Sequence, residues 1–276
     1  MTRLRHPRSI AAALAASALI SGAAVAQTPP AATPAPAAPA ATPAAAPEPD
    51  FTWTGNVGLF SQYIYRGVSQ TNEKPALQGG FDLGHKSGLY AGVWGSNVSW
   101  ISDGVPDASA SLELDLYGGW KFELPADFTG DVGVLYYWYP GSYPSGMIKP
   151  NTTELYAALT WKFLTAKYSY SLGDTFGFDT NSGSDYIELN AAYDVIDKVN
   201  DTIGKVTLEG HVGHQRFKGF GDYNYTDWKV GASTDILGTT VGIFVTGTDA
   251  TDALYTNRYG KNVADTQFVA YVKKTF

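Results

Sequence analysis

Cysteine is absent from this chain of 276 residues. That excludes disulfides, thiolate metal sites and a lipid-modified cysteine anchor. Basic residues are scarce, 19 Lys and Arg against 26 Asp and Glu, and nucleic acid as a partner would call for a basic patch. There is no Walker loop, no GxGxxG after a strand and no metal-spaced carboxylate set, so no cofactor is expected. Beyond residue 26 no uninterrupted apolar run reaches 18 residues, which excludes a membrane-spanning helix. A membrane protein built from strands escapes that exclusion, because only alternate strand residues must face lipid.

The first quarter of the chain is not domain material. Arg3, Arg5 and Arg8 precede an uncharged apolar run from Ile10 to Val25, and Ala24-Val25-Ala26 offers a small-x-small cleavage site. Residues 1–26 therefore read as a signal peptide. Its removal leaves 16 basic residues against 26 acidic ones, a net charge of −10. Residues 27–50 are rich in Ala, Pro and Thr and bury no core, so they read as a periplasmic linker, either a spacer or a ligand for a periplasmic partner.

From Phe51 to Phe276 a period of two takes over. Strands are expected at 51–65, 75–84, 89–97, 110–122, 128–138, 152–163, 166–172, 185–195, 204–214, 227–234, 240–247 and 265–276. The connections between them are long and short in strict alternation. An even strand number with loops sorted in this way predicts an all-β fold, a transmembrane antiparallel up-and-down β-barrel of about 12 strands. Short turns and both chain ends then lie in the periplasm, and long loops face outward, in the outer membrane of a Gram-negative bacterium.

Parity assigns the faces. In Leu112-Glu113-Leu114-Asp115-Leu116-Tyr117 the leucines share one side and the polar residues the other. The same reading puts Glu113, Asp115, Glu154, Tyr156, Lys162, Lys167, Glu188, Lys205, Glu209, His211, Asp227 and Lys229 on the lumen. In a packed soluble core each unpaired charge among them would cost several kcal/mol. Aromatic residues cluster at strand ends on the apolar parity: Phe51, Trp53, Trp120, Phe122, Phe128, Trp161, Phe163, Tyr193 and Phe276 near one rim, Tyr63, Tyr65, Trp138 and Trp228 near the other. Such girdles mark headgroup depth. The expected partners are outer-membrane lipid and lipopolysaccharide, and the barrel-assembly machinery through the strand ending at Phe276. Lys274 interrupts that strand's apolar face and can snorkel to the interface.

Little here suggests catalysis, and an enzyme is not expected. His211 is the strand histidine on the lumen parity, but Ser171 and Ser233, which share it, stand on other strands. His211 and His214 point to opposite faces and share no metal. Asp174, Asp179 and Asn181 in the long loop 173–184, with the flanking Asp185, offer oxygens to a divalent cation, or form a solvated polar loop. Arg66 either folds inward as a constriction or pairs with acidic loops. The expected function is passive diffusion of small polar solutes or cations; a closed structural or adhesive barrel is the alternative, and an outer-membrane enzyme the third. Acids in the outer half of the lumen, with the lysines other than Lys229 nearer the periplasmic turns, predict mild cation selectivity.

Several blocks are similar to one family. GNVGLFSQYIYRGVSQT (Gly55–Thr71), PALQGGFDLGHKSGLYAGVWGSNVSW (Pro75–Trp100), ELDLYGGW (Glu113–Trp120), DVGVLYYWYPG (Asp131–Gly141), NTTELYAAL (Asn151–Leu159), KYSYSLGD (Lys167–Asp174), YTDWKVG (Tyr225–Gly231) and VKKTF (Val272–Phe276) follow in order. They resemble the TorF family of proteobacteria, assigned to the porins by architecture. The resemblance implies an outer-membrane barrel and carries no substrate or catalytic residue with it.

Overall fold

The computed structural model describes residues 49–276. The segment 1–26, expected as a signal peptide, and nearly all of the expected linker lie outside the described residues. Asp50, expected to end the linker, is already tied to the domain: its carboxylate meets Lys86 at 2.6 Å and its carbonyl accepts the Lys86 N–H at 2.9 Å.

Twelve antiparallel strands close into one barrel. In chain order they are β1 (Phe51–Phe60), β2 (Ala76–His85), β3 (Leu89–Asn97), β4 (Leu112–Leu124), β5 (Phe128–Trp138), β6 (Thr152–Trp161), β7 (Leu164–Ser171), β8 (Asp185–Ile196), β9 (Ile203–Arg216), β10 (Tyr225–Ile236), β11 (Thr239–Thr248) and β12 (Gln267–Thr275). Each pairs with its chain neighbour, and β1 closes on β12 with Asn56 opposite Thr275 and Phe60 opposite Tyr271. At the seam Gly55 and Phe276 exchange backbone hydrogen bonds of 2.7 and 2.9 Å. A side chain at Gly55 would collide with the Phe276 ring, 2.6 Å from its Cβ position.

Turn chemistry explains the short end. Leu237 and Gly238 both have positive φ, 51° and 72°, the geometry whose twist matches a two-residue hairpin. Gly88 at φ 88° closes the turn after His85. Connections at the other end are long, at 61–75, 98–111, 139–151, 172–184, 217–224 and 249–266.

The outward face is apolar and bare. Leu77, Phe81, Ile187, Val230 and Phe268 are all more than half exposed. Phe51, Trp53, Trp120, Trp161 and Phe276 ring the short-turn end; Trp138, Trp228, Tyr168 and Tyr170 ring the other. Tyr63 and Tyr65, expected in that second ring, are not there. β1 ends at Phe60, and the next residues bend into the barrel, leaving both tyrosines 4% exposed or less. Their alternation continues that of Val57 and Leu59, and period two alone does not separate a longer strand from a segment that turns inward.

The interior is divided. The half toward the long connections is a packed core in which Tyr63, Tyr65, Val68, Trp100, Ile101, Tyr139, Phe176, Phe217, Tyr225 and Tyr255 meet. In the other half Lys121, Asp194 and Lys205 keep at least two-fifths of their side chains exposed.

Candidate functional site

The segment 61–75 enters the lumen as a hairpin. Ile64 pairs with Ser69 and Tyr65 with Val68, leaving Arg66-Gly67 as the two-residue tip. Both tip residues have positive φ, 43° and 80°. Asn or Gly is the usual choice at the first position, and a long side chain there is strained by about 1 kcal/mol or more. Gly67 is required twice over, for its φ and for its approach to the wall. Its Cβ position is 2.5 Å from Thr248 Cγ2 and 2.7 Å from Asp227 Cβ.

The Arg66 guanidinium lies in a cage. Nη1 donates to Glu154 Oε1 at 3.2 Å and to Gln215 Oε1 at 2.6 Å, and Nη2 donates to Glu154 Oε2 at 2.8 Å. Its Cζ sits 4.1 Å from the ring centre of Tyr186 and 4.6 Å from that of Tyr65. Side-chain exposures are 6% for Arg66 and 3% for Glu154, so water screens the pair little and a bidentate fork is at its strongest. The Arg66 side chain turns inward, and its acidic partner is on the barrel wall rather than in a loop.

The rest of the segment is anchored on three sides. The Tyr63 hydroxyl donates to Glu113 at 3.1 Å. Burial first, then the charges of Glu113 and Asp115, hold that hydroxyl well above its usual range, so it stays a donor. The Ser69 N–H donates to the Val263 carbonyl at 2.8 Å, and the Gln70 carbonyl accepts the Ser99 N–H at 2.9 Å. At the rim, Lys261 reaches Glu73 at 2.7 Å.

The other lumen candidates fall into groups. Glu113 and Asp115 are fully buried beneath the hairpin, so they do not line an open outer mouth as the selectivity expectation required. Asp227 accepts from the Tyr186 hydroxyl at 2.8 Å and faces His211 Nε2 at 2.8 Å, while His211 Nδ1 is 2.7 Å from Asn190. Glu188 stands 3.6 Å from the same imidazole. Ser233 donates to Glu209 at 3.2 Å, and Glu209 also holds Lys229 at 3.3 Å, so that serine is not placed beside the histidine. Tyr156 shares a close hydroxyl contact with Tyr90, and Lys167 lies 4.6 Å over its ring. Lys205 pairs with Asp194 at 3.1 Å near the short turns. Lys162 leaves the set: β6 ends at Trp161, and Lys162 sits in the turn at φ 55°, over the Trp161 ring.

At the connection 172–184 and its flank, three of the four side chains considered for a cation are otherwise engaged. Asp174 caps the Thr180 N–H at 2.9 Å, Asn181 caps the Thr175 N–H at 2.7 Å, and Asp185 pairs with Arg216. Sequence reasoning missed Tyr137, Tyr186 and Gln215 around Arg66. All three lie on the lumen parity, but as neutral residues they gave no signal beside the charges. The Tyr137 hydroxyl donates to Glu154 Oε2 at 3.1 Å.

This chain belongs to a bacterial family of unknown function, Gcw_chp, whose model matches residues 44–276. No curated protein matches it. Among solved structures it is similar to the KdgM porin, at 9% identity over 81% of this chain and 99% of that one, with a TM-score of 0.49. LpxR from Salmonella typhimurium matches at 8% identity over 81% and 99% of the two chains, TM-score 0.39. The outer membrane protein OprD from Pseudomonas aeruginosa matches at 14% identity over 81% and 65%, TM-score 0.36. Likeness at these levels carries no argument about activity; the closed barrel stands on its own strand register.

Proposed function

We propose that this member of the family is an outer-membrane channel for small polar solutes or ions, narrowed and gated at its long-loop end by the hairpin at 61–75. The membrane reading rests on the bare apolar outer face between two aromatic rings, a surface that only lipid would cover around a whole barrel. With short turns and chain ends together, the long-loop end faces outward. The block resemblance to the TorF family points the same way.

The observation that carries the gating reading is the Arg66–Glu154 pair inside the lumen. Small barrels are commonly filled by their own wall side chains. This one instead has an exposed, doubly charged half that ends on an inserted piece of chain, a division that suits a path with a stopper. The terminal strand, with Phe276 outward, would serve recognition by the barrel-assembly machinery.

A permanently closed barrel is the second reading, favoured by the hairpin's hydrogen bonds to two neighbouring connections. Planar-bilayer recordings separate the two. The channel reading expects rare or small openings in the wild type and discrete large steps when residues 64–69 are replaced by a short Gly-Ser turn. A folded, heat-modifiable replacement that stays silent would establish the closed barrel.

A further inference from the structure

We infer that the wall groups now holding Arg66 form a recognition site for small solutes carrying a guanidinium group, and that Arg66 occupies it as a tethered stand-in. The inference rests on the gated-channel reading and names the solute class of the same site.

The wall supplies all but one face of the cage. Glu154 comes from β6, Tyr186 from β8 and Gln215 from β9; the hairpin adds only the Tyr65 ring and the guanidinium itself. Each wall group is oriented by other wall groups. The Tyr137 hydroxyl holds Glu154 Oε2 at 3.1 Å. Asp227 and His211 hold the Tyr186 hydroxyl at 2.8 and 3.0 Å. The Gln215 amide donates to the Asp185 carbonyl at 3.1 Å, which turns its Oε1 toward the lumen as an acceptor. The site is therefore aimed before any cation enters, and its acceptors are prepared for donors alone.

Its shape selects among cations. A carboxylate taking two parallel N–H donors, an amide oxygen taking a third and a ring stacked on the plane match a flat fork of five donors. A compact ammonium satisfies one such point at a time and gains less from the stacked ring. The local charge has the right sign as well. Glu113, Asp115 and Asp227 share this half of the barrel with Glu154. On β7, the strand beside Glu154, Lys167 stands opposite Ala158, four residues or roughly 13 Å toward the short turns. A cation arriving when the hairpin lifts meets an acidic site that its own side chain has just vacated.

Chemical rescue tests this. In Arg66→Ala, methylguanidinium chloride should raise the heat-modification midpoint of the folded barrel, while wild type, with its site filled, should not respond. Methylammonium and tetramethylammonium at equal ionic strength should give clearly smaller shifts, and Arg66→Ala/Glu154→Gln should lose the response. Should Arg66→Ala not fold, the Gly-Ser replacement of 64–69 keeps the wall site intact and takes its place. No shift in the folded variant, an equal shift with methylammonium, or a shift that survives Glu154→Gln overturns the inference. Bilayer recordings of the same variants separate it from the channel reading. Steps that methylguanidinium fails to block sink the recognition site alone. Rescue in a barrel that never conducts sinks the channel alone.

Discussion

Removing either partner of the Arg66–Glu154 pair should cost far more than removing both. Glu154→Leu leaves a guanidinium whose side chain is 6% exposed without its counter-charge, and Arg66→Met leaves the carboxylate in the same position. Breaking a buried pair from one side typically costs about 3–5 kcal/mol, because the remaining charge is neither paired nor solvated. The double variant Arg66→Met/Glu154→Leu carries no charge into the cage. It still orphans Gln215 Oε1 and the Tyr137 hydroxyl, worth about 1–3 kcal/mol for each buried polar group left unsatisfied. It also retains the strained tip at φ 43°. The singles would then sum to roughly 6–10 kcal/mol against roughly 2–6 for the double, a coupling of several kcal/mol. Equilibrium urea unfolding in lipid vesicles, followed by tryptophan fluorescence and by gel mobility of the folded band, measures all four corners of the cycle. Additive losses, with coupling under about 0.5 kcal/mol, would mean that the pair is solvated, and would refute the packed cage.

Gly67→Ala should weaken the stopper by more than about 1 kcal/mol, through its φ of 80° and the wall atoms within 2.7 Å of the added methyl; an unchanged mobility midpoint and unchanged conductance would contradict it. Gly213→Ala should act at a distance, because the Tyr186 phenol lies over that position; the methyl displaces the ring from Arg66 and should raise opening frequency in bilayers. On the outer face, Leu189→Arg should cost about 2–4 kcal/mol if that surface meets lipid at mid-depth, read by urea unfolding in vesicles, with a neutral effect denying the membrane assignment. With residues 64–69 replaced, reversal potentials in a salt gradient should show cation preference that falls in Glu113→Gln/Asp115→Asn/Glu154→Gln; anion preference would refute the charge argument.

The barrel was legible because its rule is short-ranged. Leu112, Leu114 and Leu116 against Glu113 and Asp115 declare both faces within six residues, and the sorted connections give the topology. Lys162 was misassigned for the same reason that others were placed well. It continues the parity of Thr160, and its positive φ is a property of the turn that parity does not see. The cage was legible only in its charges. Glu154 and Arg66 stand 88 residues apart, and nothing local in either segment points to the other. Tyr137, Tyr186 and Gln215 are neutral lumen residues whose roles exist only once the barrel curls and the hairpin enters.

The backbone at the tip accounts for the insertion. A two-residue tip that places a non-glycine residue at φ 43° is an expensive way to turn a chain in solvent, where Asn-Gly would do the same without strain. The strain is tolerable only if the side chain gains something that a smaller residue does not. Here the gain is three charge-assisted hydrogen bonds and two stacked rings. The tip residue is thus fixed by the wall opposite rather than by the turn that carries it. A hairpin placed merely to fill space would carry an apolar tip. The fork of donors on an acidic wall makes the stopper dependent on one cation, and whatever competes for Glu154 competes with closure.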